Sequence, residues 1–333
     1  MLRRKWISGR ATFSKSPIGS TSDGGDEGQP PTIQFSLYAS ISSMFRGYKK
    51  NSLVVLRIHK DIVELVGLVK RMNNVNKTLY IPLYGKAFVS KRGIILNDLK
   101  AEEIWNAEGF KLKGKAKSKW LAYYMGMRSA VFDQWLKEKM KYDKDSIIIH
   151  IGCGMDSRIE RVGTMHHSWY DVDFPNVIQQ RKRYFCEFDK YHMLEADVRQ
   201  NNWIKPLPKG RSVIIVMEGV SMYFRVEELK QLLENVRSHF DQIAVLMDCY
   251  TVFAAKVSKY KNPINNVGVT IVHGINNPKI LEENTCIAFV KEHNMTPDPL
   301  INELKGIERI VFKKIFGGSF SKRVYRLYEY QSV

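Results

Sequence analysis

A β-branched run that breaks into glycines, Ser146-Ile147-Ile148-Ile149-His150-Ile151-Gly152-Cys153-Gly154-Met155-Asp156-Ser157-Arg158, constrains the fold of this chain more than any other segment. The apolar run reads as a buried strand. Gly-x-Gly then reads as a tight turn into a helix, where the backbone passes close to a ligand. Many structural turns share Gly-x-Gly, but here a second strand follows, Trp169-Tyr170-Asp171-Val172-Asp173-Phe174-Pro175, with Asp173 nineteen residues beyond Gly154. An acid about 20 residues past a glycine-rich turn is where an α/β sheet grips a ribose diol. Position 157 is Ser and the next glycine is Gly163, so the third glycine of the dinucleotide fingerprint is missing. The turn suits a nucleoside ligand better than NAD or FAD.

After Ser146 strand and helix patterns alternate. Strands are expected at 146–151, 167–173, 191–196, 212–217, 242–248, 308–316 and 321–330, and helices at 175–186, 226–240 and 278–294. Such alternation argues for an α/β, doubly wound, mostly parallel sheet covered on both faces. Phe316-Gly317-Gly318-Ser319 reads as a hairpin joining the last two strands, with at least one edge strand antiparallel. Upstream, polar residues at helical spacing mark an amphipathic helix over Leu53–Met72. Further helices are expected over Leu99–Ala107 and over Ser118–Met140, the latter rich in aromatics. The expected organisation is a basic tail at 1–35, an N-terminal helical segment or lid at 36–142, and a ligand-binding sheet domain at 143–333.

A chain of 333 residues, 44% apolar and 26% charged, can bury a substantial core. No apolar run approaches the ~18 residues of a membrane span. Cys153, Cys186, Cys249 and Cys286 are far apart and form no Cys-x-x-Cys pair, which supports neither a zinc site nor a disulfide framework and fits a reducing compartment such as the cytoplasm. The net charge of +18 raises nucleic acid as a partner, but it is spread along the chain. Its one concentration, Lys111 to Lys119, has no interleaved aromatics and reads as a solvated loop. Residues 1–22 are basic and serine-containing with no acid, the composition of a mitochondrial transit peptide and equally of a disordered basic tail.

In open α/β sheets ligands sit outside the carboxyl ends of the strands. Those ends supply Gly152, Cys153 and Gly154; then Asp171 and Asp173; then Glu195, Asp197 and Val198; then Glu218 with Gly219-Val220-Ser221-Met222-Tyr223. Any one acid here is as readily a helix cap or a solvated turn. Polar groups at four successive strand tips point to one pocket. Arg128 lies in an aromatic and aliphatic helix, where a buried guanidinium needs a carboxylate. That partner is Asp133, another protein acid, or the carboxylate of an amino-acid-like ligand. His166 and His167 precede the second strand, at the wrong end of the sheet, and read as structural.

The segments Gly152 to Arg158, Tyr170 to Pro175 and Glu218 to Tyr223 together resemble the leucine carboxyl methyltransferase family, on the side of its tetracenomycin-type polyketide O-methyltransferases. Thr78-Leu79-Tyr80-Ile81-Pro82-Leu83-Tyr84-Gly85-Lys86-Ala87 and Asp98-Leu99-Lys100-Ala101 are similar to the same branch, so the resemblance covers roughly residues 78 to 330. It implies a class I, seven-stranded Rossmann-like sheet and S-adenosylmethionine as the methyl donor. By matching position it also implies Arg128 on the methionine carboxylate, Gly152 in the first turn, Asp173 on the ribose, Asp197 with Val198 beside the adenine, and Glu218 after the fourth strand. Lys86 stands where the family commonly has arginine, and Ser157 where it has threonine.

The implied chemistry needs alignment more than activation, because the sulfonium is already electrophilic. No metal is called for. A carboxylate acceptor needs no base, whereas a phenol or alcohol benefits from one. Tyr124 and Tyr223 are available to shape the acceptor side, although each also reads as a core aromatic. O-methylation of a small molecule or a carboxylate is thus the expected activity. One competing reading is a nucleic-acid methyltransferase, which the absence of an Asn/Asp-Pro-Pro-Tyr motif at the fourth strand disfavours. The other is a catalytically silent binding protein on the same fold.

Overall fold

Alternate residues of the Ile147–Ile151 strand (β1) enter two different cores: Ile147, Ile149 and Ile151 pack on one face of the sheet and Ile148 on the other. That explains an unbroken apolar run, since a strand covered on both faces has no solvated side. A computed structural model describes residues 79–333 except 110, 111, 113 and 262–271. The basic tail at 1–35, the amphipathic helix at 53–72 and part of the lysine run lie outside the described residues.

Among the described residues three α-helices precede the sheet: α1 (Tyr80–Lys91), α2 (Leu99–Glu108) and α3 (Lys119–Tyr142). Asp98 caps α2 by accepting from Ala101 N at 2.9 Å, and Gly109 ends it in the left-handed region. Gly126 lets α3 lie directly on α1, where a Cβ would stand 2.8 Å from Val89 Cγ2. The contact matters because Arg128 sits half a turn further along α3.

The sheet then builds as β1, α4 (Arg158–Val162), β2 (Trp169–Asp173), α5 (Pro175–Arg181), β3 (Tyr191–Glu195), β4 (Ser212–Met217), α6 (Val226–Arg237), β5 (Gln242–Tyr250), α7 (Val252–Lys261), β6 (Ile287–His293), α8 (Asp298–Asn302), α9 (Gly306–Phe316), α10 (Ser319–Lys322) and β7 (Tyr325–Ser332). Its order is β3-β2-β1-β4-β5-β7-β6. β1 to β5 are parallel, and β7 runs antiparallel to both β5 and β6. The chain therefore forms the doubly wound seven-stranded sheet expected, with the strand order reversing at β1/β4. A ligand crevice opens at such a reversal. Leu83, Tyr123, Phe132 and Trp135 of α1 and α3 share one core with Ile148, Trp169 and Leu246, while Leu229, Leu232 and Val236 of α6 pack on the opposite face. Each such aliphatic residue contributes about 1.5–3 kcal/mol on burial. Among the described residues no helix is long and apolar enough to cross a membrane.

The C-terminal third departs from the expected layout. Residues 308–316 form helix α9, not a strand, and Phe316-Gly317-Gly318-Ser319 joins two helices instead of making a hairpin. Phe312 faces the core while Ile307 and Ile310 lie on an exposed flank, so the apolar residues are spread around the helix and the helical period is blurred. The sixth strand is Ile287–His293, inside the stretch expected as helix 278–294, of which only Pro278–Leu281 is helical, as one 3-10 turn. β6 is the sheet edge and its middle is exposed, so it lacks a clean alternation. Helix 175–186 stops at Arg181, and α1 and α7 were not anticipated as helices.

Candidate functional site

All seven residues singled out by the sequence, Arg128, Gly152, Gly154, Asp173, Asp197, Val198 and Glu218, line one cavity of about 760 Å³ at the carboxyl ends of β1 to β4. Gly152 and Gly154 have φ of 67° and 51°. A Cβ on Gly152 would meet Val220 Cγ2 at 2.1 Å, so the loop after β4 closes directly onto the glycine turn. Arg181, fully buried, braces that turn from behind by donating to Gly154 O at 3.1 Å and Asp156 O at 2.7 Å.

The two carboxylates of β2 separate in role. Asp173, half-buried at the cavity wall, accepts from Gly154 N and Phe174 N, both at 2.8 Å. Burial pushes its carboxyl up to about 6 despite those donors. Asp171 sits deeper, fully buried, pairing Arg181 at 2.5 Å and accepting from Tyr191 Oη at 2.6 Å and Trp169 Nε1 at 2.9 Å. It supports the turn through Arg181 and does not line the cavity. Glu195 likewise turns away, to Gln179 and Lys182. Asp197 holds Arg199 in a fork, with Nε 2.8 Å from Oδ1 and Nη2 2.5 Å from Oδ2.

Arg128 is 2% exposed. Its Nε donates to Glu218 Oε1 at 3.0 Å and its Nη1 to Asp248 Oδ2 at 2.8 Å. Its protein partners are thus Glu218 and Asp248 and not Asp133, which instead receives Arg158 Nε at 2.7 Å and Arg161 Nε at 2.6 Å. Glu218 also accepts from Ser129 Oγ at 2.8 Å and from Arg158 Nη2. Burial raises its carboxyl, but Arg128, Arg158 and Lys86 outweigh burial and hold it down to about 2. Asp156 completes the cluster with Lys86 Nζ and Arg161 Nη1, both at 2.9 Å. The network ties α1, α3, α4 and the tips of β1, β4 and β5 into one charged floor beneath the cavity.

Sequence reasoning missed Asp248 and the roles of Arg158 and Arg161. Asp248 was visible by the criterion that found Arg128: a lone carboxylate inside the apolar strand Ile243–Tyr250 requires a buried cation. Its Oδ1 accepts from Gly219 N at 2.6 Å, so it also shapes the loop that covers Gly152. His167 bonds Ser146 O at 2.8 Å, away from the cavity, as a structural histidine does. Among the described residues no group of three or more His, Cys, Asp or Glu could hold a metal ion.

Away from this floor the cavity is lined by apolar and aromatic groups, including Leu121, Met125, Met222, Phe253, Phe316 and Val324. Tyr124 and Tyr223 line it as well. Tyr124 is buried and its hydroxyl lies 3.3 Å from Met295 Sδ.

A family profile described as leucine carboxyl methyltransferase matches residues 70–237. The tetracenomycin polyketide synthesis O-methyltransferase of Streptomyces glaucescens is 27% identical over 249 residues, covering 74% of this chain and 92% of that protein. An S-adenosyl-L-methionine-dependent methyltransferase of Gibberella zeae is 22% identical over 234 residues, covering 63% and 78%. Among solved structures, the magnesium protoporphyrin IX methyltransferase of Synechocystis PCC 6803 with bound SAH is 13% identical, covering 70% of this chain and 94% of that one, with a TM-score of 0.42.

Proposed function

The chain belongs to the leucine carboxyl methyltransferase family and is an S-adenosylmethionine-dependent methyltransferase, and from that premise we propose that its cavity seats the donor along the strand tips and an apolar small-molecule acceptor against the aromatic wall. One observation carries the reading: four strand ends and Arg128 converge on a single cavity large enough for a ligand of this kind. The lining suits the donor's parts. Gly152 carries no side chain where Val220 closes over the turn, and Asp173 lines the cavity at the position expected for the ribose. Asp197 and Val198 flank the adenine, and Arg128 faces the methionine carboxylate while Glu218 and Asp248 hold it in place. Bound S-adenosylmethionine supplies a methyl group activated by its sulfonium. The chain's contribution is to hold the acceptor oxygen in line, about 3–3.5 Å from that methyl. Transfer of a tritiated methyl group to a fractionated cell extract tests the acceptor class: label in small molecules is expected, and label confined to protein or RNA overturns that class.

Asp173→Ala is expected to weaken S-adenosylhomocysteine by about 1–3 kcal/mol, because the ribose hydroxyls lose their acceptor. With its carboxyl at about 6, Asp173 gains a proton below that pH and the ionised acceptor is lost. Affinity of the unmodified protein should therefore fall as pH drops through about 6 and level off at a loss no larger than that of Asp173→Ala, about 1–3 kcal/mol. Asp173→Asn should show no such slope. Calorimetric titration across pH checks both; unchanged affinity in a folded Asp173→Ala protein sinks the ribose assignment.

Arg128→Met is expected to weaken S-adenosylmethionine by a further roughly 10- to 100-fold relative to methylthioadenosine, which has no carboxylate for the guanidinium. Comparing the two ligands on the same variant cancels any general loss of stability. Equal losses would leave Arg128 with Glu218 and Asp248 as its whole role.

A further inference from the structure

We propose that α9 docks this protein on an anionic lipid surface, with Ile307 and Ile310 entering the acyl boundary and the cations around them meeting lipid headgroups. Phe312 is fully buried on one side of α9. Ile307 and Ile310, three residues apart, share the opposite side and are 78% and 65% exposed. Lys314, also exposed, continues that side by one turn, and Ile315 adds a third exposed apolar side chain on the flank. The helix is therefore apolar on two faces, and the core covers only one of them. An exposed apolar residue standing alone is ordinary. A helix that turns a second apolar face to water marks an interaction surface.

Charge decides what that surface meets. Lys305, Arg309, Lys313, Lys314, Lys322 and Arg323 are all exposed along α9 and its two flanks. The acids among them are committed. Glu308 receives Lys119 at 2.7 Å and Arg92 at 3.2 Å, Asp298 receives Lys313 at 2.9 Å, and Glu303 accepts from the backbone of Ile95. The partners of Glu308 thus bring two further cations to the same helix. A second copy of this chain, met face to face about a two-fold axis, would set these cations against their own duplicates. A nucleic acid would meet aliphatic side chains, which offer no ring for a base to stack on. Anionic lipid satisfies both halves of the surface, since its headgroups take the cations and its acyl chains take the isoleucines.

The position of α9 gives this contact a use. Its last residue, Phe316, lines the cavity. Phe253 and Val257 of α7 line it too and are themselves exposed, which makes the mouth apolar. An apolar acceptor dissolved in the bilayer would then reach the aromatic wall with little passage through water. That consequence rests on the acceptor reading above; the docking itself does not.

Flotation of the full chain with vesicles is the test. The protein should rise with vesicles of equal parts phosphatidylcholine and phosphatidylserine, stay behind with phosphatidylcholine alone, and leave the former at high salt. Ile307→Asp combined with Ile310→Asp should abolish flotation. The thermal midpoint and S-adenosylhomocysteine affinity of that variant should match the parent, since neither side chain is buried or lines the cavity. Arg309→Gln combined with Lys314→Gln should weaken vesicle binding by roughly 25-fold, about fivefold for each cation. Undiminished flotation of the isoleucine variant would mean that a basic segment elsewhere holds the lipid, and it overturns the proposal. Flotation with neither vesicle, or equally with both, overturns it as well. So does self-association of the unmodified protein that the isoleucine variant abolishes in the absence of any vesicle binding, which assigns the face to a second copy. Failure of the unmodified protein to bind S-adenosylhomocysteine counts instead against the methyltransferase reading and leaves the flotation result standing.

Discussion

Replacing Glu218 by Gln is expected to lower stability by about 3–5 kcal/mol, read as a large drop in the urea midpoint with the slope unchanged. Gln keeps the shape of the side chain, so the loss is almost wholly electrostatic. Arg128 and Arg158, both nearly inaccessible, would be left sharing a neutral group while water cannot reach them. A variant within about 1 kcal/mol of the parent would show that the cluster rearranges around the missing charge. The same carboxylate makes the fold sensitive to acid. Burial raises Glu218, Asp171 and Glu329, yet neighbouring groups outweigh it and hold each at about 2: Arg128 and Arg158 for the first, Arg181 for the second, His293 and Lys139 for the third. A carboxyl depressed by folding adds stability that is full above its ordinary value, 4.5 for Glu218, and is lost as pH falls toward the folded value near 2. Stability should therefore decline steeply between those limits, and Glu218→Gln should flatten part of that decline.

Gly152→Ala is expected to damage both fold and donor binding. The residue has φ of 67°, which costs a side-chain-bearing residue about 1–2 kcal/mol. Its new methyl group would overlap Val220, 2.1 Å away, and displacing that side chain costs about 1–3 kcal/mol more. Val220 moves only if the loop held by the Gly219–Asp248 hydrogen bond moves with it. The cavity would thus change shape on two sides, and S-adenosylhomocysteine affinity should fall along with the thermal midpoint. A folded Gly152→Ala protein with unaltered affinity would mean that the ligand does not approach this turn.

The part of the fold best read from sequence is the part buried on both faces. β1 and β4 are nearly unbroken apolar runs ended by glycine or acid, β5 is apolar but for Asp248 near its end, and all of β1 to β5 lie where expected. The C-terminal third misled because its elements are partly exposed. α9 carries Ile307 and Ile310 outward, which hides the helical period, and β6 is a bulged edge strand whose middle faces solvent. The site was legible one residue at a time, since each strand tip announces itself by its own chemistry. Its charged floor was not. Arg128 meets Glu218 and Asp248 from 90 and 120 residues away, and local spacing says nothing about such pairings. Asp133, five residues along the same helix, looked the simpler partner for Arg128, but it faces α4 and serves Arg158 and Arg161.

The site assignment is tested most directly by a crystal structure of the full chain with S-adenosylhomocysteine. The ribose hydroxyls are expected within hydrogen-bond distance of Asp173, the adenine beside Asp197 and Val198, and the amino-acid carboxylate on Arg128, with the thioether sulfur facing the apolar wall. A ligand bound elsewhere, or bound in this cavity with its ribose turned away from Asp173, would contradict it.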